Sequence, residues 1–258
     1  MAMDPADMRD ALEATARGMD AAAPVAPVAP TRAPPSAAVP GDRAAILGGI
    51  SASYFRLRRG LAALSFALPL VLWLGAAPRD LQGSISAYYH FAQATPTVYG
   101  AGTMRDFFVG ILAIIAAFLF FYRGYSRPED RALNLAGIAA GVVAVSPMNW
   151  PATAATTWRG ELHHAAATVF FLAIAYVAVF RSGDTLDQLT PERRGAFRMT
   201  YRILGTLMVA VPAIVFAVHR LAHEPHSRAL WLIEVAGIYT FSAFWLVKSR
   251  EIALIERP

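Results

Sequence analysis

The chain has 258 residues, of which 56% are hydrophobic and only 16% charged. Soluble domains carry roughly a quarter charged residues, and here the charges cluster between long uncharged stretches. That pattern excludes a disordered chain and most soluble folds, and with no cysteine it also excludes a disulfide scaffold, thiolate metal sites and Cys nucleophiles. The pI near 9.8 reflects arginines placed beside apolar runs, which is membrane topology rather than a nucleic-acid face.

Residues 1–43 read as a tail: a short helix around Arg9–Arg17, then an Ala/Pro tract from Ala23 to Gly41. Proline at this density supports neither helix nor ladder, so a disordered, semi-extended linker is expected. The acidic start and the late first apolar run do not read as a signal peptide. Six apolar runs come next: Leu61–Ala77, Phe107–Tyr122, one from Ala132 fading near Met148, Leu162–Phe180, Ile203–His219 and Ala229–Val247. Each approaches the roughly 17–20 residues of a membrane span. In the third, Gly137 and Gly141 form a small-xxx-small pair, and Pro212 predicts a kink in the fifth. The polar stretch 82–104 has no Asp, Glu, Lys or Arg; its Gly/Pro punctuation predicts a segment outside the lipid, re-entrant and packed on the helices.

Orientation rests on counting basic residues. With the N-terminus cytoplasmic, 18 Lys and Arg fall inside and five outside (Arg79, Arg105, Arg159, Arg220, Arg228). The positive-inside rule then places both termini in the cytoplasm. The expected fold is an all-α polytopic membrane bundle of six transmembrane helices over 44–258, and Ala/Arg-rich, Lys-poor usage suggests the inner membrane of a bacterium.

All six histidines fall on the outer side in this topology: His90, His163, His164, His219, His223 and His226. Asp106 opens the second run there, and Glu234 sits within the sixth about one and a half turns from its outer end. Imidazoles and carboxylates together suit zinc or acid–base chemistry. Glu234 is expensive within a span, so it reads either as a functional carboxylate or as the partner of Arg105, Arg220 or Arg228. Asp106 reads either as a site residue or as an ordinary helix-start carboxylate. His163 and His164 point about 100° apart, so at most one faces the core. His219 and His223 share an i, i+4 face if the fifth helix continues through them, and otherwise are solvated. In SISAYYH, Ser86 and His90 would share a face in an α-helix, with tyrosines available to a developing oxyanion; interfacial packing is the plainer alternative.

Ser86-x-x-x-His90, Asp106 and His219-x-x-x-His223 together resemble the motif set of the CREST superfamily of alkaline ceramidases, progestin/adipoQ-type receptors and haemolysin-III-type proteins. The resemblance implies a zinc site with His90, His219 and His223 as ligands and Ser86 and Asp106 positioning water and substrate carbonyl. His163 is a further candidate ligand, and Glu234 a candidate base. More broadly, SISAYYH, MRDFFVGIL, LHHAAATVFFL and WLIEV resemble a six-span class of bacterial membrane proteins of the Frag1/DRAM type. Three functions are therefore expected to compete: a zinc-dependent hydrolase of lipid amide or ester bonds at the outer face, a non-enzymatic lipid- or partner-binding protein, and a small proton-coupled transporter. The partners expected are membrane lipids and, through the N-terminal tail, another membrane protein; nucleic acid is not expected.

Overall fold

The computed structural model describes residues 40–76, 81–93, 102–150, 155–221 and 228–255. By contact density the chain divides into Met1–Leu47 and Gly48–Pro258, and the packed helices belong to the second unit. The described residues are all-helical, with no strand among them. Most of the Ala/Pro tail lies outside them.

Among the described residues, six long helices carry most of the six apolar runs: α1 Pro40–Gly75, α2 Thr103–Phe121, α3 Arg127–Val145, α4 Trp158–Tyr176, then, after the short α5 Gly183–Leu186, α6 Pro191–Leu221 and α7 Arg228–Ile255. Helix α1 starts at Pro40, ahead of the boundary expected at residue 43 and some twenty residues before the first apolar run. Proline is a good first helical residue because its missing N–H has no partner there anyway. Among the described residues, four stretches are long and apolar enough to cross a membrane: Ala45–Gly75, Thr103–Phe121, Trp158–Leu186 and Leu230–Ile255. Helices α3 and α6 are not among them; α3 begins with Arg127, Glu129, Asp130 and Arg131, and α6 carries Glu192 and five arginines. Phe121, Val145 and Phe180 are 79%, 71% and 66% exposed. Large apolar side chains so presented suit a hydrocarbon surround better than water. This is an integral-membrane arrangement of apolar helices.

Helix α2 packs on α3, α3 on α4, α4 on α6 and α6 on α7. Gly137 permits the α2–α3 approach: a Cβ there would lie 2.8 Å from both the Ala116 oxygen and the Phe120 nitrogen. Gly141 has more room, its nearest neighbour being the Ala116 Cβ at 3.8 Å. Helix α6 continues through Pro212.

The stretch expected to be irregular between α1 and α2 contains a 3-10 helix, Ser86–Gln93, which packs against α2. Residues three apart eclipse in a 3-10 helix. Ser86 and His90, four apart, therefore do not share a face, contrary to the α-helical expectation. Two apolar clusters result. One surrounds Leu61, Leu119, Tyr201, Phe244 and Trp245 near the Glu251 end of α7. The other surrounds Leu72, Tyr88, Met104, Phe108 and Val235 near its Glu234 end.

Candidate binding cavity and its polar wall

Between the two clusters lies a cavity of about 500 Å³. Its walls come from α1 (Ser65, Leu68), α2 (Phe108, Leu112, Ile115), α3 (Ala140, Val143), α4 (Ala167, Phe170, Phe171), α6 (Val211, Pro212) and α7 (Ile238, Phe241). One side is polar: Ser84, Ser86, Asn149, Glu161, His163, His164 and Glu234. The described lining includes two carboxylates and no Lys or Arg.

The polar wall is hydrogen-bonded in sequence. The Glu234 carboxylate accepts the Ile85 N–H at 2.6 Å and the Ser84 hydroxyl, whose Oγ lies 2.9 and 3.0 Å from its two oxygens. One hydroxyl proton serves one oxygen, so these two donors leave about half of the carboxylate's four lone-pair sites unused. Ser84 Oγ in turn accepts the Ser86 N–H at 3.1 Å. Ser86 Oγ then lies 3.0 Å from His163 Nε2, and His163 Nδ1 lies 2.7 Å from the Ser146 carbonyl oxygen. A carbonyl only accepts, so Nδ1 carries the proton. In the neutral ring Nε2 is then the acceptor, and the Ser86 hydroxyl donates to it. The turn before the 3-10 helix is thus tied to α7 on one side and to α4 on the other.

Local sequence explains this placement. Thr157 caps α4 by accepting the Gly160 N–H, and the Asn149 side-chain oxygen Oδ1 accepts from the Thr157 N–H and hydroxyl. Gly160 is needed there, since a Cβ would meet Asn149 Oδ1 at 2.2 Å. The cap and the Asn149 clasp fix the start of α4, and with it His163 one turn later, where it is 3% exposed.

The expected site residues divide. Ser86, Glu234 and His163 come together at the cavity. His90 lies on the same 3-10 helix but faces elsewhere: Nε2 bonds the Met148 carbonyl at 3.1 Å and the ring stacks on Trp150 at 8°. Burial holds the His90 imidazole below its ordinary pKa, with the Met148 carbonyl pulling the other way. Asp106 is in the first turn of α2, away from the cavity, 68% exposed and paired with Arg105 at 3.2 Å. Arg105 is therefore engaged by Asp106 rather than by Glu234. His219 lies on the last described turn of α6; its side chain, His223 and His226 lie outside the described residues.

The described zinc candidates already have partners within the protein. Both His163 nitrogens are already engaged, and the ring Nε2 of His90 is held by a carbonyl. Among the described residues no three His, Asp or Glu side chains group to hold a metal ion.

A second polar cluster, at the other end of α7, was not foreseen. The ammonium of Lys248 and the carboxylate of Glu251 pair at 3.1 Å with side chains 3% and 0% exposed. Glu251 also accepts the Thr185 and Tyr201 hydroxyls, and Lys248 donates to Thr185 Oγ1 at 2.7 Å and lies over the Tyr125 ring. Tyr125 links onward to Arg58, which donates to the Tyr125 and Tyr122 hydroxyls at 2.9 and 3.2 Å. Adjacent Glu129, also buried, accepts the Tyr125 N–H at 2.8 Å in a variant of the capping box begun by Ser126. The sequence signal was the i, i+3 spacing of Lys248 and Glu251 just past an apolar run, a spacing equally common on solvated helix ends.

Comparison with family models, with curated proteins and with solved structures finds no match to this chain.

Proposed function

We propose that this integral membrane protein binds a single-chain amphiphile inside its helices, with the polar head against Ser84, Ser86, His163 and Glu234 and the apolar chain along Phe108, Phe171 and Phe241. The supporting observation is the cavity itself. Its volume of about 500 Å³ falls within the roughly 300–1,000 Å³ of small-molecule pockets, which pair apolar walls with a few convergent polar groups. In the topology that goes with this reading, α1, α2, α3, α4, α6 and α7 span the membrane, both termini are cytoplasmic, and the polar wall belongs to the outer leaflet side of a bacterial inner membrane.

Binding is tested with the full chain in nanodiscs and a brominated single-chain amphiphile, read as quenching of Trp150, with Trp150→Phe as the blank. Ala167→Phe, which fills the cavity, should weaken binding at least tenfold, while Val145→Phe on the exposed surface should not. Equal binding by both variants overturns the reading.

Zinc-dependent hydrolysis, implied by the CREST resemblance, is a separate proposal that His90, His219 and His223 would have to carry without His163. About one zinc per chain, lost on combining His90→Ala with His223→Ala, supports it; equally low metal in both proteins overturns it.

A further inference from the structure

The Ser86–His163 pair does more than line the cavity. Serine is a weak nucleophile until a positioned base takes its proton, and the mark of such a pair is a hydroxyl hydrogen-bonded to a base that a third group orients. Here the hydroxyl lies 3.0 Å from Nε2, and the Ser146 carbonyl at 2.7 Å from Nδ1 fixes the tautomer that leaves Nε2 free to accept. His163 is 3% exposed, so it cannot swing away, whereas Ser86 is half-buried and opens on the cavity. Ser84, two residues earlier, is engaged differently: its hydroxyl goes to a carboxylate at the end of a fixed turn.

We infer that Ser86 is a catalytic nucleophile with His163 as its base, and that the protein transfers or hydrolyses the acyl group of an ester-bearing amphiphile. This rests on the reading of the cavity as an amphiphile site. Ser86 Oγ attacks the ester carbonyl carbon as its proton passes to His163 Nε2. The tetrahedral adduct collapses, the C–O bond to the alcohol breaks, and the departing alkoxide takes the proton from Nε2. Water, activated in the same way, then cleaves the Ser86 ester, releasing the carboxylic acid and restoring the hydroxyl. No metal or redox partner enters the balance. Asn149, whose Oδ1 is engaged by Thr157, also lines the cavity.

The test uses the full chain in nanodiscs and a long-chain alkyl fluorophosphonate, which loses fluoride to an activated serine. A stoichiometric adduct mapped by peptide mass spectrometry to Ser86 is expected, with the labelling rate falling about 10²-fold or more in His163→Gln, the scale of a lost general base. Binding of the unreactive brominated amphiphile is measured on the same samples. Binding without an adduct, or an adduct on Ser84 or any other residue, overturns the nucleophile while leaving the amphiphile site standing. An unchanged rate in His163→Gln overturns the base. Loss of both binding and labelling in the unsubstituted protein overturns the amphiphile reading together with the nucleophile that depends on it.

Discussion

Replacing Lys248 by Met should be among the most damaging single changes at the Glu251 end. The ion pair is 3.1 Å long with both side chains almost wholly buried, so the screening that reduces surface pairs to about 0–1 kcal/mol does not apply. At an effective dielectric of about 20, unit charges at that separation attract by about 5 kcal/mol, and desolvation of both ions offsets much of it. The net value of the pair is therefore small, but removing one partner strands the other. Lys248→Met leaves Glu251 with only the Thr185 and Tyr201 hydroxyls, and the cost of such a stranded charge is about 3–5 kcal/mol. The combined Lys248→Met, Glu251→Leu variant does not strand Glu251, and the loss of the Lys248 cation near Glu129 is common to it and to Lys248→Met. It loses two hydroxyl partners at roughly 1 kcal/mol each, so it should be no worse than either single variant. Unfolding measured by circular dichroism in detergent completes the double-variant cycle. Single variants each costing under about 1 kcal/mol, or strictly additive effects, would refute the buried-charge reasoning.

The same geometry sets two further outcomes. Gly137→Ala should destabilise the protein, since the new Cβ would lie 2.8 Å from backbone atoms of α2 and the helices would have to separate. Gly141→Ala, with its nearest neighbour at 3.8 Å, should be neutral or stabilising by up to about 1 kcal/mol; thermal unfolding of the two variants side by side checks the contrast. His90 should titrate below the ordinary histidine value of about 6.5, visible in its ring-proton NMR shift. Because the folded state then favours the neutral ring, the unfolded chain binds more protons in that window. Stability should fall as pH drops below about 6.5, and His90→Phe should flatten that acid limb; a midpoint at or above 6.5 would remove the argument.

The helices were legible because apolar runs of span length leave few alternatives, but their ends were not, since helices α1, α6 and α7 run on through the basic clusters that flank those runs. Glu234 and Ser86 were legible for a related reason: a carboxylate in an apolar run and a serine in an uncharged, aromatic segment both need partners. What could not be read was which partners they find. Glu234 takes a serine hydroxyl and a backbone N–H 150 and 149 residues away rather than an arginine, and no periodicity encodes so distant a pairing. Ser86 and His90 were linked by α-helical spacing, and the 3-10 geometry breaks that link by changing the period from 3.6 to 3.0. His163 then fills the place expected of His90. It could do so because the Thr157 cap and the Asn149 clasp set the rotation of α4, an effect of tertiary contacts on a helix whose own sequence, His163 followed by His164, leaves the choice open.

Helix α7 holds glutamates at both ends, seventeen residues or about 25 Å apart, and the two are treated differently. Glu251 is closed in: it is wholly buried, and a cation and two hydroxyls bond it. Between it and the cavity stand Leu61, Leu119, Phe244 and Trp245, all buried. Glu234 keeps unused acceptor sites, borders open volume, and has beside it a serine already paired with an oriented imidazole. A buried polar group costs free energy unless it is satisfied. Satisfaction by the protein itself suffices for a structural clamp, whereas acceptor sites facing a cavity can be satisfied by water or by a ligand. By that criterion the Glu251 network fixes the helices at one end, and the proposed chemistry lies at the other, where Ser86 and His163 meet the cavity.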